Sequence, residues 1–316
     1  MNQEYVIGID LGGQTTKCGV VDARGNVIAQ TVIVTDTHDT VEPFIADLAD
    51  ALRRLIGEAG VEGRVRGIGI GAPNGNYYTG NIEYAVNLRW GGSNIIPFAS
   101  MLSEAMKLPV RLTNDANAAA MGEMTYGAAR GMKNFIMITL GTGVGSGIVI
   151  NGEVVYGHDG FAGELGHTCA VRNNGRVCNC GLTGCLETYT SATGVARTAR
   201  EWLELTDEPS SLRSLDKIKS KDVYVAAKEG DKLAQKIFEF TGRILGEKFA
   251  DFIAFSAPEA IILFGGLSHA REFLTEPIQK AMDAHVLPLW RGKVKLVYSQ
   301  LKESDAAILG ASALAW

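Results

Sequence analysis

One histidine and several cysteines stand close together in the segment GELGHTCAVRNNGRVCNCGLTGCLE. Three thiolates and one imidazole form a tetrahedral zinc set, and four protein ligands leave no position open for water or substrate. The segment therefore predicts a structural zinc ion bound by His167, Cys178, Cys180 and Cys185, with Cys169 as a thiol that could replace one of them. Reduced loop cysteines without a metal are the alternative, but metal binding explains the crowding better than disulfides do.

Two glycine-rich turns follow predicted strands, in GIDLGGQTTKCGVVD and in LGTGVGSGIVI. Glycine lets backbone N–H groups approach an anion without a Cβ in the way, and the N–H groups of turns form anion-binding concavities. Taken alone, either turn could be an ordinary glycine hairpin. The two turns together with FGG at residues 264–266 favour a nucleotide site whose phosphates are held from both sides.

The elements that must position these residues begin as a strand meander. YVIGID, TKCGVVD and VIAQTVIV are short, rich in β-branched residues and separated by glycine-containing turns, which predicts three antiparallel strands. Apolar residues then recur at helical spacing over residues 41–56, with Thr40 as a candidate N-cap. A buried strand in VRGIGIGAP, a long polar and aromatic loop and a helix near residues 97–107 follow, and a loop of that length is usually functional.

The middle of the chain begins with PVRLTNDANAAAMGEMTYGAA, which predicts a strand, a tight junction and an Ala-rich helix capped by Asn114 or Asp115. A glycine-rich hairpin at residues 135–150 repeats the pattern of residues 6–22, which predicts two related halves around a cleft. Beyond a loop-rich region the pattern is mostly helical to about residue 256. Strands in EAIILFGGLS and VKLVYSQ and a terminal helix in SDAAILGASALAW, with an aspartate at its cap, complete the chain.

These motifs together resemble the ROK sugar kinases of the actin-like, hexokinase-related ATPase superfamily, over essentially the whole chain. The resemblance implies an α/β fold with two actin-like ATPase (ribonuclease H-like) domains around a cleft. The small N-terminal domain is expected at residues 1–115, with the C-terminal helix 303–316 packed back on it. The large domain is expected at residues 116–302 and contains the zinc loop 164–187.

The resemblance also assigns nucleotide-binding roles. It places Asp10 near Mg²⁺ and the transferred phosphate of ATP, and the His and CxCGxxGC pattern selects the four zinc ligands without Cys169. The family's first turn reads Asp-x-Gly-Gly-Thr, and here Gln14 replaces the threonine. The expected nucleotide-binding residues are Asp10, Gly12, Gly13, Gln14, Thr15, Lys17, Thr142, Gly143, Gly265 and Gly266, with the last two against the adenosine.

The catalytic base implied by the resemblance is Asp115, which would accept the proton of the sugar hydroxyl. From its position alone, an N-cap of the following helix is the simpler interpretation, and the two roles are compatible. Sugars are held by planar polar side chains that converge from different loops. The expected sugar-binding residues are Asn87, Asn114, Asp115, Glu164, His167 and Glu187.

Two positions in the long loop depart from the family pattern. The family usually has proline before the asparagine that corresponds to Asn87, whereas this chain has Val86. GAPNGN likewise carries Asn74 where Gly-x-Pro-Gly is common.

Composition limits the remaining possibilities. The chain has 316 residues, 46% of them hydrophobic, with no apolar run long enough to span a bilayer and scattered Lys and Arg at a net charge of −5. We therefore expect no membrane or nucleic-acid partner, a cytoplasmic location because no secretory signal precedes EYVIGIDLGG, and, by resemblance, a homodimer.

The expected activity is ATP-dependent phosphorylation of a hexose. The GELGH and CLETY segments look most like the family's glucokinase branch, which favours glucose and glucose 6-phosphate. One alternative is a kinase for N-acetylmannosamine, N-acetylglucosamine, allose or fructose, or one that uses polyphosphate. The other is a sugar-sensing transcriptional regulator, which we expect less because the chain begins with the first nucleotide-binding strand.

Overall fold

The computed structural model describes residues 4–316, without the side chains of residues 303 and 304. Residue 1, where the predicted first domain starts, lies outside the described residues. The strands are β1 (Tyr5–Leu11), β2 (Thr15–Asp22), β3 (Val27–Val34), β4 (Val65–Ala72), β5 (Ile82–Glu83), β6 (Ile95–Ile96), β7 (Val110–Asn114), β8 (Phe135–Leu140), β9 (Val144–Ile150), β10 (Glu153–Val154), β11 (Ala260–Phe264) and β12 (Lys295–Tyr298). The helices are α1 (Val41–Glu58), α2 (Phe98–Met106), α3 (Asp115–Tyr126), α4 (Glu187–Thr190), α5 (Ala192–Leu205), α6 (Ser220–Lys228), α7 (Lys232–Ser256), α8 (Arg271–His285) and α9 (Glu303–Ser312).

Two five-stranded sheets have the same topology. The first has the strand order β3-β2-β1-β4-β7 and the second has β10-β9-β8-β11-β12. In each sheet the first three strands pair antiparallel and the last two pairings are parallel. The β1–β2 hairpin therefore corresponds to the β8–β9 hairpin, and the predicted pair of related halves is confirmed.

One face of each sheet is covered by a separate set of helices. The first sheet packs against α1 and α2 around Phe44 and Phe98, which are fully buried. In the second sheet, alternate residues of β8 point to opposite faces, as the pleat requires. Ile136 and Ile138 join the large core with α5 to α8, whereas Met137 joins a smaller core that includes Ala120 of α3.

The C-terminal helix α9 packs against β1, β4 and α3. This approach is close because Gly8 of β1 and Gly69 of β4 face the helix: an added Cβ would collide with the carbonyl oxygens of Ile308 and Ala311, respectively. Ile308 and Leu309 form a small core there with Val6 and other residues.

Some local predictions were wrong. Lys302, not an aspartate, is the N-cap of α9, and Asp305 lies within its first turn. The predicted N-cap position of Thr40 in α1 is confirmed, although its side chain makes no capping hydrogen bond. Neither α8 nor the small β5–β6 hairpin inside the long loop was predicted from the sequence. In the described part of the chain, no helix combines the length and apolar character needed to cross a bilayer.

Candidate active site and metal cluster

The first glycine turn connects β1 to β2 and lies against the segment that carries Asn87. The N–H of Gly12 donates to the carbonyl of Thr15 at 3.1 Å and closes the turn. A Cβ on Gly13 would lie 2.5 Å from the carbonyl oxygen of Asn87, so glycine is required for this contact. The neighbouring Gln14 and Thr15 are exposed at the tip of the turn, where solvent and ligands can reach them.

At the junction between β7 and α3, the N-cap role and the role proposed for a catalytic base fall on different residues. Asn114 is the N-cap, since its Oδ1 accepts hydrogen bonds from the N–H groups of Ala116 at 2.8 Å and Asn117 at 3.1 Å. Asp115 is the first residue of the helix, and its Oδ1 accepts from the N–H of Ala116 at 2.8 Å. Asp115 is accessible to solvent and thus to a ligand.

The charge of Asp115 reaches Asp10. Burial raises the pKa of Asp10, Lys17 on the paired strand lowers it, and the charge of Asp115 raises it again. The surrounding protein also raises the pKa of Asp115, against the N–H of Ala116, although water that reaches the carboxylate limits the rise.

The second glycine turn connects β8 to β9. The N–H of Gly141 donates to the carbonyl of Gly143 at 3.1 Å, and Thr142 between them is exposed. Gly265 follows β11 and packs against the end of β8: its φ is +98°, and a Cβ would lie 2.7 Å from the carbonyl oxygen of Leu140. The Gly265–Gly266 pair is thus next to the second turn.

A cavity of about 410 Å³ opens beside Gly265. Its lining residues come from α6, from the segment after β11 and from the region around the end of β12; they are Tyr224, Phe264, Gly265, Ser268, His269, Arg271, Tyr298, Ser299 and Leu301. This mixture of aromatic and hydrogen-bonding side chains suits a planar base and its ribose. Apart from Gly265, none of these residues was predicted as a site residue, since no local motif marks them.

The four predicted zinc ligands lie together. One ligand atom from each of His167, Cys178, Cys180 and Cys185 lies within 4.8 Å of the other three. The Sγ atoms of Cys180 and Cys185 are 3.6 Å apart, and His167 Nδ1 is 3.8 Å from Cys178 Sγ. Zn–S bonds of about 2.3 Å in a tetrahedron give ligand separations of roughly 3.8 Å, so these residues fit a zinc ion. Cys169 is outside this group and exposed.

The metal cluster adjoins the predicted sugar-binding carboxylates. His167 ends a short 3-10 turn and directs Nε2 towards Glu164, whose Oε2 is 3.9 Å away. Burial raises the pKa of Glu164, a positive charge on His167 lowers it, and the charges of Asp115 and Glu187 raise it further. Glu187 follows the ligand Cys185 by two residues and begins α4. The charges of Asp115 and Glu187 therefore both reach Glu164.

Arg176 anchors the zinc loop and was not predicted from the sequence. Its side chain is 8% exposed and donates to the carbonyl of Thr188 at 2.8 Å, to Thr198 Oγ1 at 2.9 Å and to Glu201 Oε2. Its guanidinium carbon also lies 4.5 Å from the centre of the Tyr189 ring. A buried arginine in a glycine-rich loop cannot be distinguished from a solvated one by sequence alone.

A second contact set missed by the sequence analysis joins the loop after β4 to the segment after β10. The rings of Tyr77 and Tyr156 stack with centroids 4.0 Å apart and an interplanar angle of 1°. Asn76 is 3% exposed, and its Nδ2 donates to the carbonyl of Asp159 at 2.8 Å. Tyr78 Oη donates to the carbonyl of Gly157 at 2.9 Å. These bonds connect segments that belong to different sheets.

The sequence matches the ROK family model over residues 6–316. The chain belongs to the ROK family. This ROK protein is 38% identical over 315 residues to a glucokinase from Halalkalibacterium halodurans, with 98% of this chain and 94% of that one covered. The family resemblance predicted from the glycine turns and the cysteine segment is confirmed.

Solved structures of ROK proteins share the fold. A ROK family glucokinase from Streptomyces griseus, in complex with glucose and AMPPNP, has a TM-score of 0.78 and 33% identity, with 98% of each chain covered. A ROK family transcriptional regulator, homologous to the E. coli MLC protein, has a TM-score of 0.87 and 27% identity, covering 98% of this chain and 77% of the regulator. The α/β, actin-like fold class is confirmed, while the domain limits given above stay predictions.

Proposed function

We propose that this protein is an ATP-dependent sugar kinase that converts glucose to glucose 6-phosphate. The observation that carries the proposal is the position of Asp115: it is accessible, and its charge acts on Asp10 beside the first turn and on Glu164 beside the metal cluster. A base between a phosphate site and a sugar site is what phosphoryl transfer requires. The similarity to glucokinases, one of them in complex with glucose and AMPPNP, supports the same activity.

In the proposed reaction, Asp115 accepts the proton of the sugar hydroxyl as the hydroxyl oxygen attacks the γ-phosphorus of ATP. A new P–O bond forms to the sugar, the bond to the β-phosphate oxygen breaks, and ADP leaves. Backbone N–H groups of the two glycine turns hold the phosphates, and the cavity beside Gly265 receives the adenosine. Bound Mg²⁺ would neutralise phosphate charge, with Asp10 as the carboxylate next to it.

The sugar is proposed to bind between the junction and the zinc loop. Asn87, Asn114, Glu164 and Glu187 offer hydrogen-bonding groups, with Asn114 using its amide nitrogen because its Oδ1 caps α3. His167 binds zinc through Nδ1, and its Nε2 faces Glu164 and the sugar. Zinc has a structural role here, since four protein ligands complete its coordination.

The test is ADP release by the purified protein with ATP and Mg²⁺ across glucose, mannose, fructose, allose, N-acetylglucosamine and N-acetylmannosamine. We expect rapid turnover largely confined to glucose. Preference for another sugar would replace glucose as the substrate and keep the kinase. Silence on all six sugars, with zinc bound and the fold intact, would favour another phosphoryl donor or a sugar sensor, which the likeness to the regulator also permits.

We further propose a homodimer and a cytoplasmic location, as expected from the family resemblance and the sequence. Sedimentation that shows only monomers of 33.8 kDa at micromolar concentration would refute the homodimer.

A further inference from the structure

The second glycine turn and the proposed sugar pocket share a direct contact. The backbone N–H of Val144 donates to Glu187 Oε2 at 3.2 Å. A Cβ added to Gly143 would lie 2.6 Å from the same oxygen, so the carboxylate occupies the space beside this glycine. The contact joins a turn assigned to phosphate with a carboxylate assigned to the sugar.

We propose that Gly143 and Val144 are positioning residues for the sugar, because they hold the Glu187 carboxylate in place before the sugar binds. The turn that receives the nucleotide's phosphate thereby also sets the affinity for the sugar. This inference rests on the proposed function of the same site and adds a physical link between its two halves.

The energetic reason is preorganisation. A glutamate has three side-chain torsions, and fixing such a side chain costs about 0.5–1.5 kcal/mol on binding. A hydrogen bond from a backbone N–H to a carboxylate is charge-assisted and stronger than a neutral one. Glu187 held by Val144 has lost this freedom already, so the sugar does not have to order it.

Gly143→Ala tests the link without forcing the backbone to move. The atom that an added methyl meets is the far end of the flexible Glu187 side chain, so the carboxylate is expected to rotate away while the fold stays intact. Gly141→Ala is the matched control in the same turn, since its added Cβ meets no atom within 4 Å. Neither glycine has a positive φ, so alanine strains neither position.

The measurement is calorimetric titration of the zinc-loaded, full-length protein with glucose in the absence of nucleotide. We expect Gly143→Ala to weaken glucose binding about tenfold, the size of one lost charge-assisted bond, and Gly141→Ala to stay within about twofold of wild type. Metal analysis must show wild-type zinc content in both variants. Equal glucose affinity of Gly143→Ala and wild type would overturn the inference.

A double variant shows whether Glu187 carries the effect. In a Glu187→Ala background the space beside Gly143 is open, so adding Gly143→Ala should change glucose affinity by less than about twofold. If the losses of glucose affinity in the two single variants multiplied in the double variant, the inference would be overturned. The comparison of Glu187→Ala with the double variant remains valid even if Gly143→Ala alone folds poorly. A wild-type protein that binds none of the six sugars would instead refute the proposed function itself.

Discussion

Asn114 and Asp115 have different roles at the start of α3, and their side-chain geometry explains the difference. The Asn114 side chain satisfies two N–H groups at the start of the helix, which is the ordinary N-cap arrangement. Asp115 is therefore not needed as the cap, and its carboxylate remains accessible in the cleft.

Asp115→Asn tests the proposed base at this scale. We expect kcat with glucose to fall by about 10²- to 10⁴-fold, since a positioned base contributes this much, while the melting temperature near neutral pH does not fall. Asp207→Asn is the control, because Asp207 is an exposed aspartate outside the site. A loss below about tenfold for Asp115→Asn would show that another group accepts the proton.

The pH dependence follows from the raised pKa values of Asp115 and Asp10. Because the base must be ionised, kcat should fall with decreasing pH at a higher pH than the ordinary Asp value of about 3.9 predicts. The raised values also mean that the folded state binds more protons than the unfolded one. The stability from these two groups is full below about pH 4 and is lost as pH rises through their folded pKa values.

A pH profile of kcat checks the predicted loss of activity at low pH. Thermal melting of wild type and Asp115→Asn at several pH values checks the predicted loss of stability as pH rises. The difference in melting temperature should move in favour of the variant as pH rises. A difference independent of pH would contradict the raised pKa of Asp115.

Asn74 shows how a departure from a family pattern is accommodated at one residue. Its φ is +50°, in the left-handed region. Glycine, which the family commonly has at this position, adopts this region without strain, and asparagine is among the best tolerated substitutes. Its Nδ2 donates to the carbonyl of Tyr84 at 3.2 Å, which supports this turn of the long loop.

At the scale of elements, the zinc loop is a segment with few apolar residues that the metal is expected to order. Removal of zinc by a chelator, or Cys178→Ser, should abolish glucose binding because Glu164, His167 and Glu187 all belong to this loop region. Cys169→Ser is the matched control, since Cys169 is exposed and outside the ligand group. Full activity in a protein shown by metal analysis to lack zinc would contradict this role.

Arg176 ties the same loop to α4 and α5. Arg176→Ala should lower the free energy of unfolding by about 2 kcal/mol or more, because buried acceptors including Thr198 Oγ1 lose a charged donor. Arg197→Ala removes the more exposed partner of the same Glu201 carboxylate and should cost under about 1 kcal/mol. Chemical denaturation of both variants makes the comparison. Equal losses in the free energy of unfolding would show that Arg176 stabilises the loop no more than an ordinary surface arginine does.

At the scale of the whole molecule, the contact set around Tyr77 and Tyr156 joins the two sheet systems on either side of the cleft. Tyr156→Ala removes the ring stack and should raise the KM for glucose, because segments that carry Asn87 and Glu164 lose a common support. Tyr156→Phe keeps the stack and should stay much closer to wild type, since it removes only the hydroxyl's weak contact with Met121 Sδ at 3.9 Å and its interaction with Thr113. Steady-state kinetics of the two variants make the comparison. A wild-type KM in Tyr156→Ala would show that the ring stack does not support the sugar-binding segments.

The class of fold and the short-range groupings of residues follow from the sequence alone. The cysteine spacing specified a predicted zinc set whose ligand atoms lie together in the structure, and glycines marked the two turns proposed to hold phosphate, because a tight turn or a tetrahedral cluster depends mainly on neighbouring residues. The repeated strand-turn-strand pattern predicted two related halves, and the two identical strand orders bear this out.

Contacts between residues far apart in the chain depend on how the whole chain packs. The stack of Tyr77 on Tyr156, the cavity beside Gly265 and the bond from Val144 to Glu187 each join segments far apart in the chain. No local sequence pattern marks these side chains, because the sequence around a loop tyrosine or glutamate is the same whether the side chain is solvated or contacts a distant segment. Chain packing supplies that information, and it converts a set of motifs into one connected site.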